Sequence, residues 1–289
     1  MRASTRQHVL ADAGILPADA GIRGEAPIET QASQSAMDAR SRIRAGAWTG
    51  PTVGLAPGYV QANLAVLPAE LADDFEAFCR ANPAALPLLE RTDVGSPVPE
   101  RLAPTADLRT DLPRYRLYRD GRLAEEPTDI VTLWRSDYVA FLIGCSFSFD
   151  ELLAEAGIEI RHRRPGGNVP MYRTNRTTTA AGGFHGPLIV TMRPMPATAV
   201  DRAERLTSAL PEAHGRPIHI GDPAALGIAD LSAPNYGSAV TVEFGEVPVF
   251  WACGVTAQAA ATESRTPIMI AHAPGHMFIT DRRVDALND

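Results

Sequence analysis

Two segments of the sequence place a cysteine between an apolar, strand-like stretch and a helix-like stretch. Cys145 follows the apolar residues 138–144, and Cys253 follows 247–252. A thiol at the amino-terminal end of a helix lies at the positive end of the helix dipole, which lowers the thiol pKa and favours the thiolate. We therefore predict Cys145 and Cys253 as catalytic residues. The alternative is that both are small, buried and inert.

The residues after Cys253 lead to two candidate proton-transfer histidines. They have the order of a βαβ unit, with elements at 247–252, 257–265 and 268–271. Because the two strands of such a unit are normally parallel neighbours in one sheet, Cys253 and His272 would leave the same sheet edge roughly 5 Å apart. A thiolate and an imidazole so placed could transfer protons. His276, on the following turn, is the second candidate.

The helix that follows the first cysteine predicts a carboxylate site. Ser148, with Glu151 three residues later, has the spacing of a capping box, and Thr256 has the corresponding N-cap position in the second segment. Unpaired amides in the first turn of a helix can hold an anion. We predict that Ser146 and Ser148 bind the substrate together with these amides.

A polar string at 168–175 offers further substrate-binding residues. Arg173 carries a planar guanidinium that suits a carboxylate, while Tyr172 and Asn175 could orient or protonate a substrate oxygen. The alternative is an ordinary strand whose alternate side chains face water.

Three more polar residues complete the predicted substrate site. His219 and Asp222 lie in the string His-Ile-Gly-Asp-Pro, and Asp281 ends the second cysteine segment. The first two could join His272 and His276 in a divalent-metal site built from loops. Since no local motif supplies several metal ligands, we predict no cofactor and keep the metal site as an alternative.

The two cysteine segments share an order of features that is typical of an internal duplication. Residues 141–175 and 249–281 both contain Cys, Ser or Thr, a helical run, Ile-x-Ile-x-His, Pro-Gly, Met, Thr, and Asn or Asp. Three short gaps are needed to align them, so chance similarity is the alternative.

Regular elements must position these residues. The sequence predicts a hairpin around Asp120-Gly121, and it predicts helices at 38–45, 68–82 and 197–210 and strands at 59–67 and 187–193. Strands and helices alternate through the second half, which predicts an α/β architecture. Residues 1–36 have no sustained periodicity and are predicted to be a flexible extension.

Composition excludes several classes of function. All 27 residues counted as Lys or Arg are arginine, so a lysine Schiff base, covalently held pyridoxal phosphate and a P-loop lysine are excluded. The net charge of -7 argues against a nucleic-acid partner. No stretch is apolar enough to span a membrane, and three widely spaced cysteines do not form a disulfide framework. We expect a cytoplasmic protein with free thiols.

Six strings along the chain resemble those of a known family. They are TGPTVGLAPGYVQAN (49–63), FLIGCSFSF (141–149), NVPMYRTN (168–175), HIGDP (219–223), FWACGVT (250–256) and HAPGHMF (272–278). They are similar to strings of the bacterial "putative hydro-lyase" family and of the N-terminal part of eukaryotic D-glutamate cyclase. The resemblance runs from about residue 37 to residue 289. Residues 176–178 depart from it, because Arg-Thr-Thr stands where an Ile-Pro-Cys type of stretch is expected.

The resemblance implies both a fold and an activity. The implied fold is α/β, with a three-layer α/β/α domain at 37–112 and 201–289 and a smaller two-layer α+β domain at 113–200. The implied activity is that of a lyase on a small amino or hydroxy acid, either a hydro-lyase or a lactam-forming cyclodehydratase. A non-catalytic binding module for small carboxylic acids and a metal-dependent hydrolase are the alternatives. A small carboxylic acid is the expected partner, and a homodimer is a possible assembly.

Overall fold

Long apolar strands organise the protein into two antiparallel sheets. The structure is a computed structural model that describes residues 35–164 and 167–287. The α-helices in this part of the chain are α1 (Ala36–Arg44), α2 (Ala69–Ala81), α3 (Phe147–Glu155), α4 (Val200–Ser208) and α5 (Thr256–Glu263). The strands are β1 (Tyr59–Pro68), β2 (Leu88–Arg91), β3 (Tyr115–Arg119), β4 (Arg122–Glu125), β5 (Tyr138–Gly144), β6 (Met171–Thr177), β7 (Pro187–Pro196), β8 (His219–Ile220), β9 (Glu246–Ala252), β10 (Ile268–His272) and β11 (Phe278–Arg283).

The larger sheet has seven strands and is built around β1. Its order is β2-β5-β1-β10-β3-β4, and β11 pairs with the first half of β1. Every residue of β1 after Tyr59 is buried, because β1 is paired on both edges. Ala62 pairs with Gly144 at the end of β5, and Ala65 pairs with Ala271 in β10. The register therefore fixes where the chain leaves β5 and β10 relative to β1.

The smaller sheet has four strands in the order β6-β7-β9-β8. β9 pairs with β7 over its whole length, from Glu246 with Pro196 to Ala252 with Val190. Helix α5 follows β9 and packs against β7. No helix among the described residues is long and apolar enough to cross a membrane.

Most predicted elements are confirmed, and so is the α/β class. Asp120 and Gly121 both have positive φ, 48° and 74°, as the predicted hairpin turn between β3 and β4 requires. The flexible extension predicted at 1–36 falls almost wholly on residues 1–34, which lie outside the described residues. The predicted domain boundaries remain a prediction; in the structure β3, β4 and β5 share a sheet with β1, and β9 shares one with β7.

The predicted βαβ unit is wrong. β9 belongs to the four-stranded sheet and β10 to the seven-stranded sheet, and every strand pairing in the described residues is antiparallel. The physical reason is that the two strands pair with different neighbours. β10 is hydrogen-bonded to β1 and β3, whereas β9 is hydrogen-bonded to β7 and β8. Helix α5 therefore connects two sheets rather than two neighbouring strands.

The predicted duplication is not confirmed either. The string Ile-Glu-Ile at 158–160 leads into a single 3₁₀ turn at Arg161–Arg163, whereas Ile268–His272 is a strand of the large sheet. The two segments share only their beginning, a buried strand that ends in a cysteine and is followed by a short helix.

Candidate active site

A narrow buried cavity is lined by residues of both sheets. Little of its empty volume of about 270 Å³ is wide enough for a water molecule. Its polar lining consists of the thiols of Cys145 and Cys253, the imidazoles of His214 and His272, the hydroxyls of Ser146 and Thr191, and the carboxamide of Asn63. Three of the four predicted catalytic residues thus meet in one place, although their strands are not neighbours.

Two helix hydroxyls anchor the cysteine segments to the sheets. The Ser148 Oγ accepts the backbone N–H of Gln61 in β1 at 3.1 Å, and the Thr256 Oγ1 accepts the backbone N–H of Ile189 in β7 at 3.1 Å. Neither side chain caps its helix, so the predicted capping box and N-cap are wrong. Each hydroxyl instead accepts from a buried strand amide, which satisfies that donor and holds the helix against the strand. Ser148 lies outside the cavity.

The cysteines are buried and protonated rather than activated. The backbone N–H of Phe147 donates to the Cys145 Sγ at 3.4 Å, yet burial raises the pKa of the Cys145 thiol well above its usual range. Burial likewise raises the pKa of Cys253 to about 11, against the smaller lowering effect of the Val255 amide. The predicted lowering of the pKa is therefore wrong, because loss of water around a thiolate outweighs one or two helix amides.

This burial predicts slow thiol chemistry in the native protein. All three cysteines are buried, and burial also raises the pKa of Cys79 to about 12. We expect that a thiol reagent such as DTNB titrates essentially no thiol at pH 7.5 in the native state and all of them in denaturant. Rapid native labelling of Cys145 or Cys253, mapped by mass spectrometry, would contradict this account.

His272 presents an unpartnered nitrogen in the cavity. Its Nδ1 lies 3.2 Å from the backbone N of Leu64 and 3.3 Å from the backbone O of the same residue, while its Nε2 is buried and has no partner among the described residues. The Leu64 N–H stabilises the tautomer that carries its proton on Nε2, and the Leu64 carbonyl stabilises the other. In the tautomer with the proton on Nδ1, Nε2 carries a free lone pair and can accept a proton.

His214 is a cavity residue that sequence reasoning did not find. Its Nδ1–H donates to the carbonyl of Ala84 at 2.9 Å, and its backbone has a φ of 78°. Burial lowers the pKa of His214 to about 4, and burial lowers the pKa of His272 to about 4 as well. Both imidazoles are therefore neutral at pH 7.

These two pKa values predict a loss of stability in mild acid. Between pH 6.5 and pH 4 the unfolded chain binds protons at His214 and His272 that the folded protein does not, so the free energy of unfolding falls as the pH falls. We expect a decrease on the order of 2 kcal/mol per histidine between pH 7 and pH 5, measured by urea unfolding. His214→Asn, which suits the positive φ, should remove the His214 contribution to the slope and leave those of His272, His162 and His276, because burial lowers the pKa of each of these histidines. Equal free energies at both pH values would contradict this.

A buried ionic network lies directly behind the cavity. Arg193 Nε donates to Asp150 Oδ1 at 2.7 Å, and His162 Nε2 lies 2.9 Å from Asp150 Oδ2. Arg193 also donates to the hydroxyls of Ser146, at 3.1 Å, and of Thr191, at 3.2 Å. Burial by itself would raise the pKa of Asp150, but Arg193 and His162 together lower it. The carboxylate is thus ionised and paired with the guanidinium.

Two glycines make room for two asparagine side chains at the cavity. A Cβ on Gly254 would lie 2.2 Å from Asn63 Nδ2, which donates to the Gly144 carbonyl at 2.6 Å. A Cβ on Gly275 would lie 2.3 Å from Asn168 Nδ2, and Gly275 also has a φ of 85°. Glycine is required at both positions because the carboxamides approach the backbone so closely.

The predicted carboxylate-binding string lies elsewhere. Tyr172, Arg173 and Asn175 line an open surface pocket, not the cavity. Tyr172 OH donates to the Leu231 carbonyl at 2.7 Å, and the Arg173 guanidinium pairs with Glu263 at 3.1 Å, with both side chains about half exposed. The unusual residues 176–178 line a neighbouring surface pocket. The surface position follows from the edge location of β6 in its sheet.

The remaining predicted residues are also dispersed. His219 Nε2–H donates to the carbonyl of Asp222 at 2.7 Å, and the Asp222 carboxylate caps the next turn. Asp281 is paired with Arg40 at 2.8 Å. His276 Nδ1–H donates to the Pro274 carbonyl at 3.1 Å and does not line the cavity. The described residues contain no cluster of three or more His, Cys, Asp or Glu that could hold a metal, so the loop-built metal site is not assembled.

Sequence signals for the missed residues were present but weak. Arg193 is the one charged residue of the mainly apolar strand Pro187–Pro196, and Asp150 lies between the apolar residues Phe149 and Leu152. A charge in an apolar element is normally paired when buried. No local pattern indicated that these two residues, with His162, would pair with each other.

Together, the fold and this site define a mixed α/β protein that encloses thiols, imidazoles and hydroxyls in one cavity, as small-molecule enzymes do. The chain belongs to the bacterial hydro-lyase family. It is 57% identical to a "Putative hydro-lyase" of Rubrobacter xylanophilus, over 86% of this chain and 96% of the relative. It is 56% identical to one of Stutzerimonas stutzeri, over 86% of this chain and 94% of the relative. The D-glutamate cyclase family model matches residues 139–281, the range that contains Cys145, Arg193, Cys253 and His272.

Proposed function

We propose that this protein is a lyase that removes water from a small amino or hydroxy acid, either by elimination or by closing a lactam. The observation that carries the proposal is the convergence of Cys145, Cys253 and His272 on one buried cavity. The relatives are named for a hydro-lyase and the family model for a D-glutamate cyclase, and both names describe reactions that release water.

Removal of water needs one group that takes a proton and one that gives a proton to the leaving hydroxyl. His272 Nε2 can take the proton in the tautomer whose Nδ1–H donates to the Leu64 carbonyl, and the imidazolium so formed can give that proton to the leaving hydroxyl. The protonated thiols of Cys145 and Cys253 are the neighbouring proton donors in the cavity. These groups require no cofactor for the proton transfers, and enclosure keeps competing water away from the reacting atoms.

Mass spectrometry on a substrate panel tests this proposal. The protein is incubated with small amino and hydroxy acids of both configurations, and loss of one water is followed. We expect turnover of at least one class by wild type, and a decrease of roughly 100-fold or more in His272→Ala. His185→Ala is the matched control, because His185 is exposed and contacts Ser264.

Three outcomes would count against the lyase. Binding without loss of water, alike in wild type and His272→Ala, would favour the binding module for small carboxylic acids. Stoichiometric zinc, manganese or iron in the purified protein would favour the metal-dependent hydrolase. Unchanged turnover in His272→Ala would remove the proposed role of this histidine. A homodimer also stays a proposal, which the mass of the protein in solution tests.

A further inference from the structure

The side chain of Arg193 is buried, and its guanidinium is held by two aromatic rings and a carboxylate. Its side chain is 1% exposed, and its guanidinium carbon lies 4.9 Å from the ring centre of Phe149 and 5.4 Å from that of Trp251. Asp150 holds the Nε side of the guanidinium at 2.7 Å. Nη2 also lies 2.7 Å from Asp150 Oδ1 and donates to Ser146 as well, while Nη1 donates to Thr191. Aromatic contacts and the ion pair therefore fix the orientation in which the guanidinium meets the two cavity-lining hydroxyls.

The two hydroxyl oxygens that accept hydrogen bonds from Arg193 still carry protons of their own, which are available for donation. A hydroxyl has a single proton to donate, and Ser146 and Thr191 each use an oxygen lone pair for the guanidinium. No described residue accepts the proton of either hydroxyl. Ser146 is 2% exposed and Thr191 is 1% exposed, and both line the cavity. Each O–H is thus a buried donor without a protein acceptor.

We propose that Ser146 and Thr191 form a carboxylate-binding subsite of the cavity, with Arg193 as the positioning residue that polarises both hydroxyls. A hydroxyl becomes a stronger hydrogen-bond donor when its oxygen accepts a hydrogen bond from a cation. A carboxylate oxygen is the acceptor that forms the strongest hydrogen bond with such a hydroxyl. No Asp, Glu or Arg is among the described residues that line the cavity, so an entering anion meets no fixed negative charge there.

This subsite deepens the proposed function, since it would hold the acid group of the substrate in the cavity where the thiols and His272 lie. Because little of the cavity is wide enough for a water molecule in this structure, binding requires the lining side chains to move apart. It also replaces Arg173 in the role that the sequence predicted, because Arg173 is at the surface and paired with Glu263.

A binding experiment tests the subsite without any turnover. The probes are propionate and propionamide, which have the same shape and differ in charge. Binding is followed by the methyl signals of Met171 and Met277, which line the cavity. We expect wild type to bind propionate at least roughly ten-fold more tightly than propionamide. Ser146→Ala or Thr191→Val should lose roughly ten-fold in propionate affinity and less in propionamide affinity, because the amide oxygen accepts a weaker hydrogen bond.

Thr280→Val is the control for the hydroxyl variants, because the Thr280 hydroxyl is buried but donates to the Val60 carbonyl outside the cavity. The double variant Arg193→Met/Asp150→Leu removes both charges at once and should bind the two probes equally. Equal binding of both probes by wild type, or an unchanged preference in both hydroxyl variants, would overturn the subsite. A retained preference in the double variant would overturn the role of Arg193. Failure to detect a lyase reaction would affect none of these results.

Discussion

Arg193→Met is expected to lower the free energy of unfolding by about 3–5 kcal/mol. Asp150 is 3% exposed and keeps only the neutral imidazole of His162 when the guanidinium is removed, so a buried carboxylate loses its counter-charge. Ser146 and Thr191 lose the same donor. Because small domains are stable by about 5–15 kcal/mol, the effect is a large fraction of the total. Urea unfolding followed by tryptophan fluorescence measures it.

Arg173→Met is the matched control, since it removes the same charge from an exposed ion pair with Glu263. The two side chains are 54% and 45% exposed, so we expect a change within about 0.5 kcal/mol. A similarly small change in Arg193→Met would show that the buried network contributes nothing to stability. Asp150→Asn offers an independent measurement, because it leaves the guanidinium unpaired instead of the carboxylate.

Gly254→Ala is expected to be strongly destabilising although it adds a single methyl group. The added Cβ would lie 2.2 Å from Asn63 Nδ2 and 2.3 Å from its Cγ, so the carboxamide must move. Moving it breaks the 2.6 Å hydrogen bond to the Gly144 carbonyl, the residue before Cys145. Overpacking and the lost buried hydrogen bond together should cost about 2–5 kcal/mol, measured by urea unfolding.

A double-mutant cycle isolates this contact. In an Asn63→Ala background the carboxamide is absent, so Gly254→Ala should cost less than about 1 kcal/mol. Gly50→Ala is the control for the methyl group itself, because a Cβ at Gly50 meets no atom within 4 Å. Equal costs of Gly254→Ala in both backgrounds would mean that the contact with Asn63 is not the cause.

Local patterns of the sequence predicted the elements and the cysteines well. The apolar runs before Cys145 and Cys253 are strands, short helices follow both, and the hairpin turn lies at Asp120-Gly121. These features depend on residues within a few positions of each other, and such patterns are readable without knowledge of the fold. The interaction of Arg193 with Asp150 was not readable, because the two residues are 43 positions apart and no local pattern links them.

The sequence by itself determined most of the helices and longer strands, the family of the chain, and that a cysteine follows two of the strands; it did not predict β2, β8 and β11. Only the tertiary structure decided that β9 and β10 belong to different sheets and that Cys145, Cys253 and His272 nevertheless line one cavity. It also decided the charge of these groups, because their pKa values depend on burial more than on the helix amides beside them. The physical reason is that periodicity and capping act between near neighbours, whereas sheet pairing and desolvation depend on which distant segments exclude water together.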